Sequence, residues 1–235
     1  MKSRIIKGIL SLILISALFA PLSRAEAATK TAVVDITNGV LNVRSGPGLD
    51  YRKIGKLTDH AKVAVYSINH GWAQIKYGKK KGYVSDEFLR IYSTMSSVSA
   101  KKIADNADKT ERVTWKKNYT KSQIYSIMSS SFTKAYIDKY IKQQFRTAGK
   151  NNNGTQLYHI IETEIWGLAL YPIDWKMQYE PKKAAIIHFV KNGKEYLYIS
   201  QYHLNEESGN QTSTICFIKS GLRWLVFDHR VKYEN

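Results

Sequence analysis

From Thr31 to Tyr92 the chain runs in short alternations of apolar and polar residues, each closed by a turn signal, and this pattern fits strands and excludes amphipathic helices. The sharpest case is Leu41-Asn42-Val43-Arg44 followed by Ser45-Gly46-Pro47-Gly48. Leu41 and Val43 share one face of a half-buried strand, Asn42 and Arg44 the other, and the Gly-Pro-Gly run ends it. Proline sets φ for the second turn position, and Gly48 is expected to take the positive φ of a type II turn. Strands are expected at Ala32–Asp35, Val40–Arg44, Lys53–Leu57, Ala61–Ser67, Trp72–Tyr77 and Gly82–Val84, with turns at His70-Gly71 and Tyr77-Gly78-Lys79. Regular spacing of this kind predicts a small all-β barrel filled by Val63, Val65, Ile75, Val84 and Leu89. About 60 residues is near the lower limit for such a core.

A chain of 235 residues has room for a second domain, and the ends suggest where it sits. Lys2, Arg4 and Lys7 precede an apolar run from Gly8 to Leu22, and Ala25-Glu26-Ala27 offers small residues at a cleavage position. Residues 1–27 are therefore expected to be a secretion signal cut after Ala27, leaving no transmembrane span. The formal charge of +17 falls to +14 once the +3 of residues 1–27 is removed. So basic a protein is drawn to envelope polyanions such as teichoic acid or anionic lipid headgroups. Export makes nucleic acid an unexpected partner. Cys216 is the single cysteine, has no partner for a disulfide, and reads as a small core residue within Thr214-Ile215-Cys216-Phe217-Ile218.

Three ordered blocks carry a family likeness: Leu41 to Pro47, then Gly71-Trp72 with Ile75 and Tyr77, then Gly82-Tyr83-Val84. In these the segment 31–92 resembles the bacterial SH3-like (SH3b) family. The resemblance implies an SH3-like barrel, attachment to peptidoglycan or its peptide stems, and a secreted, wall-associated protein. Whole-chain organisation is also similar to that of secreted SH3b-containing proteins of Gram-positive bacilli. For ligand contact the expected residues are Asn42, Arg44, Tyr51, Trp72 and Tyr83, because aromatic faces and a forked guanidinium suit sugar rings and peptide carboxylates. Trp72 and Tyr83 could equally cap the barrel, and Arg44 could bond the turn that follows it.

Composition shifts to Ser, Lys, Ala and Asp after Ser93, so residues 93–112 are expected to be a linker or a loosely held helix, with the second domain at 113–235. Thr120-Lys121-Ser122-Gln123 matches a capping box ahead of Ile124, Ile127 and Met128. Thr133 is placed to cap a second helix whose stripe is Tyr136, Ile137, Tyr140, Ile141 and Phe145, ending before Gly149. Strands are then expected at Gln156–Glu162, Ile165–Tyr171, Ala184–Val190, Glu195–His203, Thr212–Ile218 and Arg223–Tyr233, with an Asn192-Gly193 hairpin. The succession predicts an α+β domain with helices packed on a curved antiparallel sheet, whose element order resembles the nuclear-transport-factor-2-like cone folds.

No catalytic residue, metal site or cofactor is expected. Cys216 lies late in a strand rather than at a helix start ahead of a histidine, and His159, His188, His203 and His229 lack close-spaced ligand partners. Glu162 and Glu164 share a strand face of the kind that is usually solvated. The reading that follows is a secreted envelope protein held on the wall, with a noncatalytic binding or regulatory C-terminal domain. Its rivals are a wall-remodelling hydrolase with an unrecognised site and a basic adhesion protein. Tyr196, Tyr198 and Tyr202 give one strand a tyrosine-rich face suited to partner or glycan contact.

Overall fold

The computed structural model describes residues 30–161, 167–204 and 209–233. The segment expected to be a secretion signal lies outside them, as do Glu162, Glu164 and Trp166. The structure is mostly β. Seven strands come first: β1 (Lys30–Val34), β2 (Leu41–Arg44), β3 (Lys53–Leu57), β4 (Lys62–Asn69), β5 (Trp72–Tyr77), β6 (Lys80–Ser85) and β7 (Leu89–Ser93). Helices α1 (Ser97–Val113), α2 (Lys121–Met128) and α3 (Lys134–Gln144) follow, with the two-residue β8 (Tyr119–Thr120) between the first two. Then come β9 (Phe145–Lys150), β10 (Gln156–Ile160), β11 (Ala185–Lys191), β12 (Lys194–His203), β13 (Gln211–Ser220) and β14 (Arg223–Tyr233).

The first seven strands build an SH3-like region around Val43, Val63, Val65, Ile75, Val84 and Leu89, all buried. Leu89 belongs to β7, a strand the turn pattern does not announce because Asp86–Phe88 form a single 3-10 turn before it. Hairpins close as their residues require: His70 and Gly71 both have positive φ, as do Asn192 and Gly193. At the Gly-Pro-Gly turn the structure departs from expectation, because Gly48 has no positive φ. Its glycines answer a different need. The Tyr51 ring lies across them, and a Cβ would stand 2.3 Å from that ring at Gly46 and 3.2 Å at Gly48.

Of the two readings for residues 93–112, the helical one is formed. Most of them form α1, capped by the Ser96 hydroxyl, with Ala100, Ala104, Ala107 and Glu111 on the buried stripe. Three of these four are alanines, so a face at helical spacing carries too little side-chain bulk to register as an apolar run. The Thr120 capping box is present at α2, and Thr133 caps α3. Helix α3 ends earlier than its stripe suggests, at Gln144, and Phe145 opens β9, which pairs with β10. The strand expected at Ile165–Tyr171 is not formed in its described part, where residues 167–171 are turn and coil.

The helices pack on one side of β12–β14, burying Ile124, Met128, Tyr136 and Tyr140 against Leu197, Ile199, Ile215, Phe217 and Val226. All of β11 to β14 run antiparallel to their neighbours. Strand β7 pairs with β1 on one edge and with β11 on the other, so a single sheet of order β14-β13-β12-β11-β7-β1-β4-β5-β6-β2-β3 crosses from one half to the other. Asp35 clamps this junction, accepting from Arg90 and from Lys191. Those two cations hold its carboxyl down at about 2, against the opposing effect of partial burial.

Candidate functional site

Alternation along three adjacent strands decides which barrel side chains can meet a ligand. Strand β2 turns Leu41 and Val43 inward and Asn42 and Arg44 outward. Strand β5 buries Ala73 and Ile75 and presents Trp72 and Gln74, while β6 buries Gly82 and Val84 and presents Tyr83 and Ser85. The ladders set Arg44 opposite Tyr83, Tyr83 opposite Gln74 and Trp72 opposite Ser85. The Gln74 side-chain amide donates to the Tyr83 hydroxyl at 2.6 Å.

An open groove of about 490 Å³ lies on this face, with Asn42, Arg44, Trp72, Leu49, Glu87 and Phe88 among its walls. Three of the five residues expected from the sequence therefore come together. Tyr83 stands one strand position away on the same face, and Tyr51 is half exposed but committed to covering Gly46. Arg44 also serves the fold, because its Nη1 donates to the carbonyls of Leu49 and Tyr51 at 2.6 and 2.8 Å and so fixes the turn. Among the described residues its Nε and Nη2 make no hydrogen bond, so three N–H donors remain for a ligand. Leu49, Glu87 and Phe88 were not legible as site residues. Leu49 and Phe88 are 74% and 38% exposed, and they lie in turns where alternation gives no direction.

In the C-terminal half a buried polar chain links two β-strands to the segment before β11. Glu180 Oε1 lies 2.8 Å from His203 Nδ1, and His203 Nε2 lies 2.7 Å from Ser213 Oγ. The other Glu180 oxygen accepts from the Leu204 amide. His203 is thus not an ordinary strand residue. The order acid, imidazole, hydroxyl is that of a nucleophilic relay. Ser213, however, is fully buried, and it sits mid-strand between Gln201 of β12 and Val231 of β14, where ladder bonds occupy the backbone amides. It has neither access to a substrate nor a strained turn to expose it.

Two further ionisable groups are held in their neutral forms by burial. Glu111 on α1 accepts from the Leu170 amide through Oε2, while Oε1 lacks a partner at hydrogen-bonding geometry, and its carboxyl is pushed up to about 8. His229 is buried with both ring nitrogens unpartnered, and burial brings it down to about 4. Cys216 is fully buried, and its thiol is pushed up to about 12, so the reactive thiolate is absent at ordinary pH. Among the described residues no three of His, Cys, Asp and Glu converge as a metal-ligand set. No described helix is long and apolar enough to cross a membrane.

Comparison with known proteins agrees with the barrel. A segment of 78 residues, 33% of this chain, is 33% identical to a Bacillus subtilis (strain 168) protein bearing the name N-acetylmuramoyl-L-alanine amidase YrvJ, of which it covers 14%. A segment of 58 residues, 25% of the chain, is 41% identical to bacteriocin BCN5 of Clostridium perfringens and covers 6% of it. The chain therefore spans only a small part of each relative. The family model for the bacterial SH3 domain matches residues 39–90, taking in β2 to β6 and the start of β7. Residues 39–90 of this chain are a bacterial SH3 domain.

Proposed function

We propose that this domain holds the protein on the bacterial cell wall by binding peptidoglycan at its peptide stems, outside the producing cell, and that the C-terminal half has a noncatalytic binding or regulatory role. The groove on β2, β5 and β6 is the observation that carries the wall reading. It sets the free donors of Arg44 and the carboxylate of Glu87 on the same surface as Trp72 and Phe88. A short peptide with carboxylate and ammonium groups joined to a sugar ring matches this set: the guanidinium takes a carboxylate, Glu87 an ammonium, and the indole an apolar ring face. The similarity to an amidase named for the N-acetylmuramoyl–L-alanine bond of the wall supports the same ligand class.

The test is sedimentation of the protein with purified sacculi. Trp72→Ala removes the aromatic wall of the groove without touching the core residues Ala73 and Ile75, and should weaken retention about tenfold or more. Equal retention of Trp72→Ala and the parent protein at physiological salt would remove the groove from the account.

Among the described residues, Glu180, His203 and Ser213 favour a hydrolase instead. Their burial supports a structural role, and the expected result of zymography on peptidoglycan is no clearing. A cleared zone that disappears with Ser213→Ala would reverse this assignment.

A further inference from the structure

A second groove, of about 660 Å³, lies at the other end of the molecule, between α1 and the tip of the β13–β14 hairpin. One wall is a single helical stripe: Val98, Lys101, Lys102, Asp105 and Lys109 recur at spacings of three and four along α1. The other wall is the hairpin tip, Leu222 and Arg223, with Trp224 at its base. Two properties of this surface call for a partner.

The first is charge. Lys101, Lys102, Lys109 and Arg223 stand around the groove against one carboxylate, Asp105, which Lys101 already pairs at 2.5 Å. Among the described residues Lys102 and Lys109 have no acidic partner, and both are exposed. The second is an apolar tip. Gly221 has φ of +58° and Leu222 has no positive φ, which is the two-residue turn with glycine first. The second position of that turn faces solvent and suits any small polar residue. Here it holds Leu222, 98% exposed, and Val98 at the start of α1 is 78% exposed. A polyanion such as a polyphosphate would use the cations and leave Leu222 idle. An anionic lipid surface uses both, phosphates meeting the lysines while the leucine enters the acyl boundary.

We propose that the α1–hairpin groove docks the protein on an anionic membrane surface, with Leu222 as the inserted residue and Lys102, Lys109 and Arg223 as the headgroup contacts. This surface does not depend on the wall reading. It is carried by β13, β14 and α1, whereas the SH3 groove is built on β2, β5 and β6 toward the opposite end of the strand order.

The experiment is flotation of residues 28–235, which contain every described element, with vesicles of phosphatidylcholine alone or mixed with phosphatidylglycerol. Omitting residues 1–27 keeps their apolar run from inserting on its own. Binding is expected only to the phosphatidylglycerol vesicles and should fall with added salt. Leu222→Ser should lower it about tenfold or more, as loss of one inserted leucine requires, with Leu222→Ile restoring it. Lys102→Glu with Lys109→Glu should abolish it. Because these residues lie at the surface, the variants should keep the parent melting temperature and, with the wall groove untouched, the parent retention on sacculi. The proposal fails if no binding to phosphatidylglycerol vesicles is seen. It also fails if Leu222→Ser binds them as the parent does, or if inorganic polyphosphate displaces the protein at the same phosphate concentration, since either marks a polyelectrolyte site.

Discussion

Glu111→Gln should hold the melting temperature nearly constant between pH 6.5 and 8, a range in which the parent protein loses stability. The sign follows from proton counts. Burial raises the Glu111 carboxyl from 4.5 to about 8, so between these values the folded chain holds a proton that the unfolded chain has released. Stability from this group is complete below pH 4.5 and is lost as pH rises toward 8, at about 1.4 kcal/mol per pH unit. His229 runs the other way. Its ring is brought down from 6.5 to about 4, so the unfolded chain binds the extra proton and stability is lost as pH falls through that range. The two slopes oppose each other between pH 4.5 and 6.5, which predicts a plateau there. Above it Glu111 acts alone, for a loss on the order of 2 kcal/mol by pH 8. Glutamine keeps an acceptor for the Leu170 amide and cannot ionise, which removes that limb. Thermal melts of both proteins across this range are the check, and parallel curves would show that Glu111 titrates normally.

Gly82→Val should unfold the barrel at temperatures the parent tolerates. A Cβ at Gly82 would stand 2.4 Å from Cγ1 of Val43, and both residues are buried with no open side to move into. Overpacking a closed core costs about 3 kcal/mol, and a barrel this small has little reserve. The clash names its own remedy. Pairing Gly82→Ala with Val43→Ala frees the space, so the double variant should be less destabilised than the two single losses added together. Urea denaturation of the four proteins measures that coupling. Retention on sacculi should fall in step with the folded fraction, because Arg44 and Tyr83 neighbour the two residues on the same strands.

Much of the barrel was legible because its strands alternate. Lys53–Leu57 and Trp72–Tyr77 are found at the expected bounds, and the five expected core residues are all buried. The helix starts at Thr120 and Thr133 were equally plain, since a cap is a local arrangement of side chain and backbone. What escaped was set by distant contacts. Helix α1 was legible only as one of two readings because its buried stripe is mostly alanine, and β7 is short and flanked by a turn. Of the expected site, Asn42, Arg44 and Trp72 converge on one groove, whereas Tyr51 lies outside its walls with its ring across the glycines of its own turn. The link from His203 to Glu180, 23 residues apart, is visible only in three dimensions.

The strand shared between the halves limits how the SH3 unit can be moved about. A fragment ending after Tyr92 would leave the β7 edge that meets β11 bare, and one beginning after it would strip β11 of its neighbour. Each piece would offer a raw row of amide and carbonyl groups, the usual seed of intermolecular pairing. Asp35 would also lose Lys191 in the first piece. Grafting this module onto another protein should therefore yield an aggregation-prone chimera unless β11 travels with it or the bare edge is blunted by charge.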